Sequence, residues 1–348
     1  MSKYENKIRK RRKTLFIVEG NHEKNVLFEL MIACFPELDI KMDDIWIYGT
    51  NIYMLYEDIK NEYGCDWVKY NDDIDLPYVI SKKKNMKELR YKEDFINIIL
   101  VFDYERHDPR FSVQKIEDMQ KIFIDVTDMG KLYINYPMIE SYQHFKSLPD
   151  NEFINRKILE TLQRGAEYKR LVQNESMIQN LIGFKHKIED TLHKSFHILD
   201  DKIRMECCDR ILNISDDKNL LEKLHEVLES VICEDELQTA KYQYKHWIMN
   251  MNYLNKKMSY WGYMREIFKQ IIYHNIRKAE YIQNNHEELD FNKYRECFDT
   301  LDLIKFLKIQ NDVSSDVETG FIWVLSTCLF LIPDYNFSLI ETKVKGYS

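Results

Sequence analysis

Leu15-Phe16-Ile17-Val18-Glu19-Gly20 and Ile98-Ile99-Leu100-Val101-Phe102-Asp103-Tyr104-Glu105 are the two stretches on which the fold turns. Continuous apolar runs rich in Ile and Val and closed by polar residues read as strands buried on both faces. In an open parallel sheet, ligands bind outside the carboxyl ends of the strands, which is where Glu19, Asp103 and Glu105 fall. A carboxylate there contributes nothing to packing. Several of them on adjacent strand ends supply hard oxygen ligands for a divalent cation, Mg²⁺ or Mn²⁺.

Outward from these runs, the first half of the chain alternates. Val26, Leu27, Leu30, Met31 and Cys34 mark one face of a helix that ends before Pro36. Ile45-Trp46-Ile47-Tyr48 is a second strand stopped at Gly49, and Ile52, Leu55, Tyr56 and Ile59 mark a second helix. The strand over 97–102 precedes a helix carrying Val113, Ile116, Met119 and Phe123. Leu132-Tyr133-Ile134 then leads through Asn135-Tyr136-Pro137 into Ile139-Glu140-Ser141-Tyr142. Residues 65–95 are polar, with Lys82-Lys83-Lys84, and read as an insertion or long loop. Strand–helix alternation predicts a parallel sheet with right-handed crossovers.

The second half is punctuated differently. Between Pro149 and Pro333 there is no proline, and Gly165, Gly183, Gly262 and Gly320 are the glycines of that span. Proline inside a helix costs about 3 kcal/mol, so its absence over such a length permits long helices. Leu220, Leu221, Leu224, Val227, Leu228, Val231 and Ile232 follow helical spacing, as do Met264, Ile267, Phe268, Ile271 and Ile272. The expected fold class is α/β: a parallel sheet flanked by helices over 14–148, preceded by a basic arm at 1–13 and followed by a mostly α-helical domain over 149–348. The apolar stretch Phe321 to Pro333 is too short to cross a bilayer and is expected to form a buried helix.

With 348 residues, 45% of them hydrophobic, the chain has material for two domains and a sizeable core. A net charge of -8 argues against coating nucleic acid through bulk charge. A local basic groove is still open to it, and Lys7-Ile8-Arg9-Lys10-Arg11-Arg12-Lys13 is one basic concentration. The polar, basic opening of the chain does not read as a secretory segment. Its 7 cysteines, odd in number and irregularly spaced, point to a reduced cytoplasmic setting and are expected to serve packing.

Val18-Glu19-Gly20-Asn21-His22-Glu23-Lys24, followed by Leu27, resembles the first motif of the toprim family, a hydrophobic strand ending in Glu-Gly before a helix. Asp103-Tyr104-Glu105 resembles the second, with Glu105 where a second Asp is usual. Tyr136-Pro137-Met138-Ile139-Glu140-Ser141-Tyr142 is similar to the proline-then-Ile-Glu stretch after the last strand in compact toprim nucleases of bacterial anti-phage and abortive-infection systems. The resemblance covers roughly residues 12 to 146, on the strand–helix pattern. It implies a toprim fold and Mg²⁺- or Mn²⁺-dependent cleavage of DNA or RNA, tRNA included. It also implies an ABC-type ATPase partner, since the chain has no Walker A sequence of its own, and it leaves a homo-oligomer open. No topoisomerase apparatus or primase zinc module is evident. No membrane association is expected.

The resemblance casts Glu19 as metal ligand or base and Asp103 and Glu105 as ligands. The i, i+2 spacing of the latter two puts both side chains on one side of an extended segment. Glu140 is the candidate fourth carboxylate, with Asp108 behind it, and Lys24 and Lys131 are candidates for contacting the phosphate. Against each stands a plainer reading: a polar residue at a strand-to-helix turn, a surface ion pair with Arg106, an acid at a helix start. His107 is a further candidate for proton transfer. His193 and His197 have zinc-chelating spacing but no evident third ligand. Tyr242, Tyr244, Trp247, Tyr253, Tyr260, Trp261 and Tyr263, interleaved with lysines, offer base stacking or, more plainly, core. The rival to a nuclease is a catalytically inactive toprim fold that senses or scaffolds a partner.

Overall fold

The computed structural model describes residues 13–70, 74–84, 91–159, 165–284, 294–316 and 318–341. Most of the basic arm at 1–13 lies outside them. The described strands are β1 (Lys13–Val18), β2 (Ile45–Ile47), β3 (Phe95–Asp103), β4 (Ile124–Asp125), β5 (Gly130–Tyr136), β6 (Lys157–Leu159), β7 (Phe321–Trp323) and β8 (Leu325–Ser326). Parallel pairing runs β2-β1-β3-β5, with Phe16 opposite both Ile45 and Ile99, and Asp103 opposite Asn135. The far edge of β5 is closed by two short antiparallel strands, β4 at Gly130 and Lys131 and β8 at Asn135 and Tyr136. β6 and β7 form a separate antiparallel pair. The sheet is thus mostly parallel and mixed at one edge, and β8 reaches it from the far end of the chain.

Leu15 to Val18 and Ile98 to Phe102 are all buried, as expected for strands covered on both faces. Helices Ile52–Tyr63, Val113–Ile122 and Leu303–Val313 pack in series. Elsewhere the long helix Tyr260–Gln283 packs against Glu29–Cys34, where Phe35 meets Phe268 edge-on at 6.4 Å and Arg265 donates to the Cys34 carbonyl. Between Gly165 and Asp312 the described chain is helical apart from short connections. None of its helices is long and apolar enough to cross a membrane.

Some expectations need correcting. Within 65–95 the chain forms a helix, Leu76–Lys84, and Trp67, Ile74, Leu76, Val79 and Ile80 enter the core. The charge of that stretch conceals a narrow apolar face. The run from Phe321 to Pro333 opens as β7 and β8, passes through the turn Thr327–Phe330, and becomes helical only at Leu331–Asn336. Its β-branched and aromatic start fits a strand, and a short apolar run does not distinguish helix from strand by period. Of the cysteines, Cys65 and Cys233 are exposed and the other five are buried, none of them in a disulfide.

Candidate functional site

The carboxyl ends of β1 and β3 lie side by side. Glu19 follows Val18 directly, and its backbone N–H still bonds the Val101 carbonyl at 3.2 Å. Its side-chain Oε2 accepts the Asp103 backbone N–H at 3.2 Å. Asp103 closes β3 and is almost wholly buried, and its Oδ1 accepts Asn135 Nδ2 at 3.3 Å from the adjoining strand. Glu140, on the turn Ile139–Gln143 after β5, is also buried. One of its oxygens, Oε1, takes the Lys169 ammonium at 3.3 Å, and the other, Oε2, has no hydrogen-bond partner.

Glu23 joins this group. The helix after Gly20 begins with a π-wound segment, Glu23–Phe28, before Glu29–Cys34 continues as α-helix. Such wide turns recur at functional sites because they re-aim side chains. Here the turn carries a buried Glu23 whose Oε2 accepts the Gly20 N–H at 2.9 Å. Glu105 stands at the rim in a left-handed backbone conformation (φ 37), uncommon for a residue with a side chain. It is held by Asn51 Nδ2 at 3.3 Å, which also donates to Asp108 at 2.6 Å.

The electrostatics follow from the crowding. Burial, and then the Glu105 carboxylate, push Glu19 up to about 8. Asp103 is driven well above the usual carboxylate range by burial and by Glu19, Glu23 and Glu140. Burial also raises Glu23 and Glu105. Like charges in a poorly solvated site favour the protonated form unless a cation is present. Lys169 is the cation found among them. Burial alone would lower its ammonium, but Glu140, Asp103 and Glu23 outweigh burial and hold it above its ordinary value. Burial lowers the neighbouring His22, which meets Gln143 at 3.3 Å.

Of the residues expected from sequence, Glu19, Asp103, Glu105 and Glu140 gather here. Lys24 and Lys131 do not. The Lys24 ammonium is bound to the Ile45 carbonyl at 2.7 Å, at the start of β2. Lys131 pairs with Asp334 at 2.5 Å. It lies four residues before Asn135 on β5, roughly 13 Å along the strand at its normal rise. Neither lysine is placed to touch a phosphate at the carboxylates. Glu23 and Lys169 were missed. Glu23 sits one helical turn beyond Glu19 inside the first motif, a signal that was legible, whereas nothing in the sequence ties Lys169 to Glu140.

Among the described residues, no three His, Cys, Asp or Glu side chains meet in a ready-made ligand arrangement. The protein's own donors hold the carboxylates: the Asp103 and Gly20 N–H groups, Asn51, Asn135 and Lys169. A cavity of about 240 Å³ adjoins Glu105, with His107, Asp108, Pro137, Met138 and Ile322 in its wall. His193 ends up on the helix Phe184–Lys194 while His197 lies past it in a left-handed turn, so the two do not share a helix face. Tyr244, Tyr253, Tyr260 and Tyr263 are buried, which assigns most of the aromatic stretch to the core.

Comparison with protein-family models, curated proteins and solved structures gives no match.

Proposed function

We propose that the chain is a divalent-metal-dependent phosphodiesterase acting on nucleic acid, with Glu19, Asp103 and Glu140 at the centre of its site and Glu23 and Glu105 beside them. The observation that carries this reading is the gathering of these carboxylates around Lys169, with Glu23, Asp103 and Glu140 almost wholly buried. Burying like charges together costs stability, so the arrangement answers to a ligand of opposite charge. The donors are all oxygen, which suits Mg²⁺ or Mn²⁺ rather than softer metals. The partnerless Oε2 of Glu140 is a lone-pair position with nothing else to bind. The toprim-like motifs support the same reading, and with it the expectation of an ABC-type ATPase partner.

An ion bound there would supply Lewis acidity toward a phosphate oxygen and a water of lowered pKa. The chain's own residues orient and protect. Asn135 fixes the Asp103 carboxylate, and its own Oδ1 is held by Ser326 at 2.8 Å. Asn51, which also caps the helix Ile52–Tyr63, fixes Glu105 and Asp108. Without a cation, burial and Glu105 push Glu19 up to about 8; a bound divalent ion would favour its carboxylate form, ready to serve as a ligand. Pro137, Met138 and Ile322 give the adjoining cavity an apolar wall against which a nucleoside can lie.

One observation favours the inactive-scaffold reading: the acids are engaged by protein donors, and among the described residues no ligand triad is ready-made. Cleavage distinguishes the two. Plasmid DNA, single-stranded DNA and total tRNA are incubated with Mg²⁺ or Mn²⁺ and with wild type, Glu19→Gln or Asp103→Asn. We expect metal-dependent cutting by wild type and a loss of at least about 100-fold in either variant, the scale of a missing transition-state contact. Cutting that survives both substitutions would refute the site.

A further inference from the structure

Lys169 is the feature of the site that neither the sequence motifs nor the metal chemistry requires. It lies on the helix Gly165–Glu175, outside the sheet, and stands at the surface with its ammonium turned inward onto Glu140 Oε1 at 3.3 Å. That carboxylate is 8% exposed, and its second oxygen is buried without a partner. The Lys169 charge also bears on Glu19, Glu23 and Glu105, just past β1, on the first helix and in the loop after β3. An ordinary surface ion pair has one partner and both ends in water. This ammonium faces a cluster of acids drawn from separate segments of the chain.

We propose that Lys169 is a built-in counter-ion that occupies the place of a cation in the carboxylate cluster and must leave Glu140 before a divalent metal can bind. The inference rests on the metal-centre reading above. Without a cation the buried acids repel one another, and one ammonium offsets part of that repulsion. A divalent ion carries twice the charge and bonds several oxygens at once, so it outcompetes the ammonium once present. The geometry makes the exchange local. Tyr168, next along the helix, is fully buried and its hydroxyl meets His144 Nδ1 at 3.2 Å; Glu175 at the far end of the helix meets His144 Nε2 at 2.9 Å. The helix is therefore pinned from both ends, while the Lys169 side chain, 47% exposed, is free to rotate about its own stem into solvent.

The test is calorimetric titration of Mn²⁺ into chelator-treated full-length protein, as wild type, Lys169→Met and Lys169→Arg, at mildly alkaline pH. Removing the competing charge should tighten Mn²⁺ binding by at least about tenfold in Lys169→Met, a conservative figure for one unit charge a few ångströms from the ion. Lys169→Arg, which keeps the charge, should bind as wild type does. In thermal unfolding, metal-free Lys169→Met should melt below wild type, and Mn²⁺ should close the gap. Equal or weaker Mn²⁺ binding by Lys169→Met would overturn the counter-ion role while leaving the metal centre standing. No Mn²⁺ uptake by any of the proteins would overturn both. Should Lys169→Met fail to fold, Lys169→Gln offers similar length without charge and is judged by the same outcomes.

Discussion

At the scale of single residues, the site is a conflict between burial and charge. Glu19 has a folded pKa of about 8 against an ordinary 4.5, because burial and Glu105 disfavour its charge. Between those values the folded state binds more protons than the unfolded one. Stability from this group is therefore full below the ordinary value and is lost as pH rises toward 8, and raised Asp103 acts in the same direction. Scanning calorimetry in chelator should show a lower Tm for wild type than for Asp103→Asn at the alkaline end, by roughly 2–6 °C, with the difference shrinking toward pH ~5. A gap that is constant with pH would mean that the acids do not repel one another. At acidic pH the opposite sign applies to His274. Burial lowers it to about 4, and its Nε2 accepts the Asp150 N–H at 3.1 Å, which requires the neutral ring. Its contribution is present above pH ~6.5 and lost as pH falls toward 4. His274→Gln should therefore lose less stability than wild type over that interval in urea unfolding.

At the scale of elements, the segment after the turn Ile139–Gln143 is held by buried polar groups rather than by regular structure. Asp150 accepts the backbone N–H groups of Lys146 and Glu152 and pairs with Arg156 at 2.8 Å, both side chains being buried. Lys278, fully buried, donates to the carbonyls of Phe153 and Arg156. Asp150→Ala leaves Arg156 without its carboxylate and should cost about 3–5 kcal/mol, read from urea unfolding. A cost below about 1 kcal/mol would mark the pair as dispensable. None of this was legible in the sequence, because Asp150, Arg156 and Lys278 meet only through the tertiary fold. β1 and β3 were legible, since a run buried on both faces is apolar at every position. So were the acids at their ends, which the chain has no packing reason to place there. Lys169 was not, for its role depends on where a helix with no motif comes to rest. The helix Leu76–Lys84 was missed because lysines crowd its exposed face.

At the scale of the molecule, sheet and helical region are not independent. β8, from the end of the chain, pairs with β5, and Thr327 Oγ1 bonds both the N–H and the carbonyl of Ile134 at 2.7 Å. Ser326 holds Asn135, which holds Asp103, and its own N–H is taken by buried Asn275 of the long helix at 2.9 Å. The acids at the strand ends are thus oriented by residues that lie more than a hundred positions away. A fragment ending at Pro149 should fail to give a cooperative unfolding transition, because it exposes the far edge of β5 and leaves Asn135 without Ser326. A sharp transition for that fragment would show that the sheet stands alone. The central claim, that these acids form a metal centre, is tested most directly by anomalous diffraction from crystals soaked in Mn²⁺. The account predicts a peak bonded by oxygens of Glu19, Asp103 and Glu140, with Lys169 moved off Glu140. No peak there, with the Lys169–Glu140 pair intact at saturating Mn²⁺, would contradict it.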